Sequence, residues 1–449
     1  MERNCLSIIL AAGEGTRMKS SMSKVLHPIA NLSLIGHICR TLKNIHIDSC
    51  ACIVGKSATQ VESEVKKFLP KANFFFQNER LGTAHAVLCA KDIIQSGFDD
   101  ILILFGDTPL IEEHNLQKAR ESLAQGIDVV VMGFRTETPT GYGRLIEESG
   151  YLKAIVEEKD ATDVQKAIKF CNGGLMAVSG VHLLKLLEKV ENNNANKEFY
   201  LTDIVALAHK ENLKVQALEI PLDNILGVNT RAELAKLEEI WQERKRNYLM
   251  REGVTLLDPK TNYFSYDSII EQDVIIEPYV YFGKNVHIKT GAKIAGFSYI
   301  EGATIEEDST IGPYARIRAQ SVVKKNAKVG NFCEVKNTII EEEAKINHLS
   351  YIGDANIGKR VNIGAGVITC NYDGISKHKT IIEADSFVGS NSALVAPLKI
   401  EKNAYIASGS IITRDIPEKA LAVARAKQVN KEGYAEKLQD KFMRNASKK

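Results

Sequence analysis

An aliphatic or aromatic residue recurs at every sixth position over a long stretch of the second half of this chain. The series runs Ile276, Phe282, Ile288, Ile294, Ile300, slips by one residue, and resumes at Ile305, Ile311, Ile317, Val323, Val329 and Val335. A second slip leads to Ile340, Ile346 and Ile352, and a third to Ile357 and Ile363. After an interruption, Ile382, Val388, Leu394, Ile400, Ile406 and Ile412 close it. Two positions before many of these stands a small residue, such as Ala292, Ser298, Ala303, Ser309, Ala315 or Ser321. A period of six is neither the helical repeat of about 3.6 nor simple strand alternation. It fits a short strand plus a tight corner, repeated so that coils stack with the recurring side chain inward. The second half is therefore expected to be a β-solenoid.

The first half follows a different rule. Short apolar runs at Leu6–Leu10, Ala51–Val54, Ile101–Phe105, Val129–Val131 and Leu175–Val178 are mostly separated by amphipathic stretches, among them Thr59–Leu69, Ala84–Ile94 and Leu116–Ala124. That alternation predicts an α/β unit with a mostly parallel sheet covered on both faces. In such sheets ligands sit beyond the carboxyl ends of the strands, so chemistry is expected in the loops leaving them. Between the halves, Thr230 and Glu233 form a capping-box pattern, and Leu234, Leu237, Ile240 and Trp241 supply a helical stripe. The division expected is 1–229, a linker helix over 230–252, and 253–449 with a basic tail after Pro417 that reads as a solvated cap.

Composition narrows the function classes. The chain has 449 residues and a formal charge of +2, which gives no bulk attraction to nucleic acid or to anionic lipid. No run approaches the roughly 20 apolar residues of a membrane span, so neither nucleic-acid binding nor membrane insertion is expected. The eight cysteines form no C-x-x-C pair. They read as reduced thiols in a cytoplasmic protein rather than a disulfide frame or zinc site.

Two constellations carry chemistry. The first is Ala11-Ala12-Gly13-Glu14-Gly15-Thr16-Arg17, which leaves the carboxyl end of the first strand. A lone G-x-G is most often a turn. Here its position after a strand, with Arg17 and Lys24 following, points to phosphate held by backbone amides and permanent charge. The third glycine of the dinucleotide fingerprint and the Gly-Lys-Ser/Thr of the Walker motif are both lacking. Asp107 ends the strand Ile101–Leu104. It suits either a Mg²⁺ site beside polyphosphate or a helix cap beyond Pro109. The second constellation is His348, about one coil before a polar excursion, Cys370-Asn371-Tyr372-Asp373-Gly374 with Lys377 and Lys379, where the aliphatic series lapses. A lone corner histidine is ordinarily a satisfied surface residue, although long excursions from a regular scaffold are often functional.

Taken together these residues resemble a known family. Leu10–Lys24, Gln77 with Leu81-Gly82-Thr83-Ala84-His85-Ala86, and Gly106-Asp107 are similar to bacterial sugar-1-phosphate nucleotidyltransferases. Tyr142-Gly143-Arg144, Val156-Glu157, Asn172-Gly173-Gly174 and Gly227-Val228-Asn229 extend the likeness. With the hexapeptide solenoid, nearly the whole chain resembles the bifunctional N-acetylglucosamine-1-phosphate uridyltransferase / glucosamine-1-phosphate acetyltransferase family. The resemblance implies a Rossmann-like nucleotidyltransferase domain followed by a left-handed parallel β-helix, assembled as a homotrimer. In the first half it implies uridylyl transfer from UTP with Mg²⁺. Leu10, Ala11, Ala12, Gly13, Gln77, Gly82, Thr83, Phe105 and Gly106 would hold the nucleotide, and Arg17 and Lys24 would neutralise the triphosphate. Asp107 and Asn229 would carry the metal, while Gly143, Glu157 and Asn172 would hold the sugar.

In the second half the resemblance implies acetyl transfer from acetyl-CoA, with His348 as general base and Glu334 orienting or tuning it. Arg318, Lys336, Tyr351 and Asn362 would bind glucosamine-1-phosphate. Ala365, Asn371, Tyr372, Ser390, Ser408 and Arg425 would contact acetyl-CoA. The chain departs from the family pattern at Ser23, Arg80, Gly173, Ala319-Gln320-Ser321 and Ser408. Two other readings stay open: a monofunctional nucleotidyltransferase with a structural or regulatory β-helix, against which the Lys336, His348, Asn371 and Tyr372 set speaks, and a non-catalytic assembly protein that keeps the fold.

Overall fold

A computed structural model describes residues 3–447 apart from 149 and 195. It divides into two compact units, Met1–Lys245 and Arg246–Lys449. The first is built on strands β1 (Cys5–Leu10), β2 (Ser49–Val54), β3 (Asn73–Phe76), β4 (Asp100–Phe105), β5 (Val129–Arg135), β6 (Phe170–Ser179) and β7 (Val215–Glu219). Their order across the sheet is β7-β5-β6-β4-β1-β2-β3. In β4 alternate residues face opposite sides, Ile101 and Ile103 entering one core and Leu102 and Leu104 the other. Helices close both sides: Leu34–Asn44 packs Ile35, Ile38 and Leu42 on one, and the segment from Gly180 to Leu187 packs Leu183, Leu186 and Leu187 on the other.

The sheet is mixed rather than simply parallel, because β6 runs antiparallel to both β4 and β5. Two edge strands were not legible as apolar runs. β3 is half-exposed, and in β7 Gln216 and Glu219 interrupt the apolar residues. The stretch expected as one helix over Ala84–Ile94 is two, Thr83–Leu88 and Lys91–Ile94.

A helix spans Arg231–Arg251. Its start is the expected capping box: the Glu233 backbone N–H donates to Thr230 Oγ1 at 3.2 Å, and Glu233 Oε2 accepts from the Thr230 backbone N–H at 2.9 Å. In the first unit Leu234, Leu237, Ile240 and Trp241 pack with Met18, Ile29, Leu34 and Leu110.

The second unit is a left-handed parallel β-helix with three sheets of ten, nine and eight short strands. The periodic aliphatics form its inner columns. Ile276 pairs with Ile294, then Ile311, Val329, Ile346, Ile363, Val388 and Ile406 in one continuous ladder. A coil is thus 18 residues, or 17 where the sequence slips, except that the coil from Ile363 to Val388, which carries the excursion, has 25. Before many of the small residues a corner residue takes a left-handed conformation, including Phe297, Asp308, Tyr314, Gln320, Asn326 and Phe332. Each such corner costs an ordinary L residue about 1–2 kcal/mol, offset by the buried column beside it.

The aliphatic series lapses after Ile363 as expected, but the inward column continues for one more position before the excursion. Thr369 occupies the inward slot, almost fully buried and paired in register with Leu394. Its hydroxyl accepts the Gly353 backbone N–H at 2.8 Å and reaches the Gly353 carbonyl at 3.1 Å, which makes a polar residue tolerable there. The excursion leaves the coil only after this strand. The tail is more ordered than a simple cap: Leu421–Ala422 adds a strand, and an exposed amphipathic helix spans Tyr434–Ala446. Among the described residues no helix is long and apolar enough to cross a membrane.

Candidate functional site

In the first unit the loops leaving β1 and β4 meet over a cavity of about 230 Å³. Leu10, Ala11, Ala12, Gly13, Lys24, Gln77, Gly82, Thr83, Phe105 and Asp107 all line it. Two glycines shape its rim. Gly15 has φ +62°, and a Cβ there would stand 2.5 Å from Lys24 Cβ. Gly82 has φ +121°, and its Cβ would meet the Phe199 carbonyl oxygen at 2.4 Å. Neither place accepts a side chain, which brings Lys24 and the backbone of residues 82–83 close to whatever fills the cavity. Gly106 does something else: its N–H donates to the Leu10 carbonyl at 2.9 Å and it packs against Val25 and Ala11, fastening β4 to β1.

At the mouth stand three charged side chains and one amide. Lys24 Nζ is ion-paired with the Asp107 carboxylate and also donates to Asn229 Oδ1 at 3.3 Å. Arg17 Nη2 donates to the same Asn229 oxygen at 2.9 Å. Asn229 is itself held by its backbone N–H, which donates to Glu233 Oε2 at 2.6 Å. Two oxygens thus share one ammonium, and the donor set is entirely hard. Among the described residues no three His, Cys, Asp or Glu side chains converge as a metal site. A divalent ion at Asp107 and Asn229 would have to take most of its ligands from phosphate or water, which is the habit of Mg²⁺.

A second cavity of about 420 Å³ adjoins the first, sharing Thr83, Phe105 and Glu198. Glu157 and Asn172 line it, as do Tyr200 and Thr202, which sequence reasoning missed. Gly143 lies against Glu157, and its carbonyl accepts the Asn172 backbone N–H at 2.8 Å. Burial pushes the Glu157 carboxyl up, partly offset by the Thr202 hydroxyl and reinforced by Asp160 and Asp203. Arg144 is buried scaffold. It ties Glu158 at 2.6 Å and the Lys166 carbonyl, holding the Arg144–Glu148/Tyr151–Val156 hairpin that carries Gly143 and Glu157.

In the β-helix one prism edge collects four of the six expected acetyl-CoA residues, Ala365, Ser390, Ser408 and Arg425. Corner residues on successive coils are linked by backbone bonds, from the Leu349 N–H to Asn331, Gly366 to His348, Asn391 to Ala365 and Gly409 to Ser390. Arg425 Nη1 then donates to the Ser408 carbonyl at 2.8 Å. Asn331, His348, Ala365, Ser390, Ser408 and Arg425 therefore form a single column. Below it the same edge carries an exposed aromatic stack, Tyr279–Phe297–Tyr314–Phe332, with centroids 4.8–5.0 Å apart.

On the face beyond, Lys336 is held below the usual lysine range by the neighbouring Lys377 ammonium and by Arg318. Crowded cations of this kind suit a phosphate. Gly353 leaves room where Tyr351 Oη and Asn371 Nδ2 converge, since a Cβ there would stand 2.5 and 2.9 Å from them. Asn371 Nδ2 donates to Asp354, whereas Tyr372 is exposed on the excursion with its hydroxyl turned to the Gly374 carbonyl. Asn362 stands in the ladder with Lys345 and Phe387. Glu334 does not orient His348. Its carboxylate is bonded to Arg318 at 2.8 Å, and the His348 Nδ1 partner is Asn331 Oδ1 at 2.7 Å. The reason is register: the slipped coil is 17 residues long, which sets Asn331 beside His348 and Glu334 beside Tyr351.

Comparison with known proteins agrees with this two-part organisation. Residues 7–248 match the family described as the MobA-like NTP transferase domain, and 379–414 match the hexapeptide repeat of succinyl-transferase. Proteins named "Bifunctional protein GlmU" align end to end. That of Bartonella quintana is 55% identical over 447 residues, covering 100% of both chains, and that of Agrobacterium fabrum is 50% identical with the same coverage. That of Brucella anthropi is 58% identical over 98% of this chain and 97% of its own.

The chain belongs to the GlmU family.

Within the GlmU frame the departures have local explanations. Ser23 sits at φ −54°, the conformation a proline would impose, so the backbone before Lys24 is unchanged. Arg80 lines the first cavity but is bonded to Glu14 Oε1 at 2.8 Å, an oxygen that Lys56 also contacts at 3.0 Å. Gly173 has no space for a side chain: a Cβ would stand 2.6 Å from Ile225 Cδ1 and 2.7 Å from the Met132 carbonyl. Ser408 contributes only its backbone carbonyl to the Arg425 contact, so the extra hydroxyl disturbs nothing there.

Proposed function

We propose that this chain makes UDP-N-acetylglucosamine in two steps at two separate sites. The β-helix transfers acetyl from acetyl-CoA to glucosamine-1-phosphate. The α/β unit then transfers uridylyl from UTP to N-acetylglucosamine-1-phosphate, releasing pyrophosphate. The observation that supports this best is that one chain carries both the Arg17, Lys24, Asp107 and Asn229 quartet and the column from His348 to Arg425.

For uridylyl transfer, residues 1–229 are assigned as the pyrophosphorylase domain. The uracil and phosphates lie in the cavity from Leu10 to Asp107, and the sugar is held by Gly143, Glu157 and Asn172 in the adjoining one. A sugar-phosphate oxygen attacks the α-phosphorus in line, forming one P–O bond as that to pyrophosphate breaks. Such a step needs positioning and charge neutralisation more than a protein nucleophile. Arg17 and Lys24 supply permanent positive charge, and the backbone amides after β1 donate to phosphate oxygens. Asp107 and Asn229 would hold Mg²⁺, whose charge would offset that of the phosphate oxygens.

The helix over 230–252 is assigned as linker and 253–449 as the acetyltransferase domain. Arg318, Lys336, Tyr351 and Asn362 bind glucosamine-1-phosphate. Ala365, Asn371, Tyr372, Ser390, Ser408 and Arg425 contact acetyl-CoA. The sugar amine attacks the thioester carbonyl while His348 takes its proton; the C–N bond forms, the C–S bond breaks, and CoA leaves as thiolate. An imidazole with a reference pKa of about 6.5 is mostly neutral near pH 7 and ready to accept that proton.

The assembly proposed is a homotrimer in the cytoplasm. The exposed aromatic stack on the edge of His348 supports association, since contiguous apolar surface of this kind marks interfaces. The test is to measure pyrophosphate and CoA release separately from one preparation. Release of pyrophosphate alone would return the monofunctional reading.

A further inference from the structure

We infer that Asn331 is the positioning residue that sets the tautomer of the His348 imidazole and so decides which nitrogen can act as base. The inference rests on the reading of His348 as general base and goes beyond it. Asn331 Oδ1 stands 2.7 Å from His348 Nδ1. An amide oxygen cannot donate, so the contact requires the hydrogen to be on Nδ1. Neutral imidazole has one N–H, and Nε2 is thereby left with its lone pair free to take the proton of the attacking amine.

The fold enforces this contact. Asn331 ends the strand Lys328–Asn331 and His348 ends Lys345–His348, and the two are register partners across the ladder. The next backbone bond, Leu349 N–H to the Asn331 carbonyl at 3.0 Å, locks the corner, where Leu349 turns left-handed at φ +51°. Ser350 Oγ donates to the His348 carbonyl at 2.9 Å and fixes the other flank. A nearby carboxylate that could have played the part, Glu334, is occupied by Arg318. The orienter is thus neutral. It selects the tautomer without the full charge that would hold the ring as imidazolium and remove it as a base.

The test uses the full-length protein with ¹⁵N-labelled histidine, His348 being assigned by the resonance missing in His348→Ala. Wild type is expected to show Nδ1 protonated and Nε2 bare. Asn331→Leu is expected to move the proton toward Nε2 and to lower kcat for CoA release about 10–100-fold, the usual worth of a partner that orients a functional imidazole. KM for acetyl-CoA and uridylyl transfer should stay at wild-type values. Asn331→Asp, which still accepts from Nδ1 but carries a full charge, is expected to keep Nδ1 protonated and to move the rise of acetyl transfer with pH to higher pH. An Nε2–H tautomer in wild type, or a kcat for Asn331→Leu equal to wild type, would overturn the inference. If wild type released no CoA at all, the reading of His348 would fail, while the nitrogen shifts would still decide the role of Asn331.

Discussion

The ammonium of Lys24 is paired with the carboxylate of Asp107, two side chains largely shielded from solvent on loops 83 residues apart. The same ammonium reaches the amide oxygen of Asn229. The protein thus keeps a positive charge seated between the two oxygens proposed to hold Mg²⁺, where it would favour an anionic phosphate.

Removing that seat has a selective consequence. Asp107→Ala is expected to lower pyrophosphate release by at least about 10²–10³-fold, the usual worth of a preorganised charge at such a site. CoA release should be unaffected, and chelation of divalent ions should separate the two activities in the same way. Loss of both activities in this variant, with the fold intact by circular dichroism, would contradict separate sites.

His348→Ala addresses the other half. Acetyl transfer is expected to fall by about 10²–10⁴-fold, the range associated with a general base. Pyrophosphate release should persist. Acetylation at the wild-type rate would take His348 out of the mechanism.

The solenoid was legible because its rule is strictly local: one inward residue per six, with slips that correspond to coils of 17 rather than 18 residues. The glycine loop after β1 and Asp107 were legible because both leave the ends of strongly apolar strands. Other features depend on what another coil or strand places opposite. Thr369 fills an aliphatic slot only because the polar backbone of Gly353 faces it. Asn331, not Glu334, meets His348 because a coil of 17 residues pairs 331 with 348 and 334 with 351. The antiparallel course of β6 and the half-exposed edge strand β3 leave no local signature.

Glu157 couples function to stability. Its carboxyl is raised above its ordinary value of 4.5, chiefly by burial. The native state therefore binds this proton more tightly than the unfolded chain does. The associated stability is complete below about 4.5 and is lost as pH rises through the folded value. Glu157→Gln should lose less thermal stability than wild type between that pH and neutrality, while KM for the sugar phosphate in uridylyl transfer rises about tenfold or more. Parallel melting curves for the two proteins across this window would contradict the assignment.

Thr369→Val tests the polar slot in the core. Valine fits the space but leaves the buried Gly353 N–H unpaired, at a cost of about 1–3 kcal/mol in stability. Denaturant midpoints of the two proteins measure this directly. A valine variant as stable as threonine would show that the hydroxyl contributes nothing.

The most direct measurement supplies the purified protein with glucosamine-1-phosphate, acetyl-CoA, UTP and Mg²⁺ and identifies the products by mass. Two machines on one chain predict UDP-N-acetylglucosamine together with free CoA and pyrophosphate. Active uridylylation of supplied N-acetylglucosamine-1-phosphate with no acetylation of the amino sugar would contradict the account.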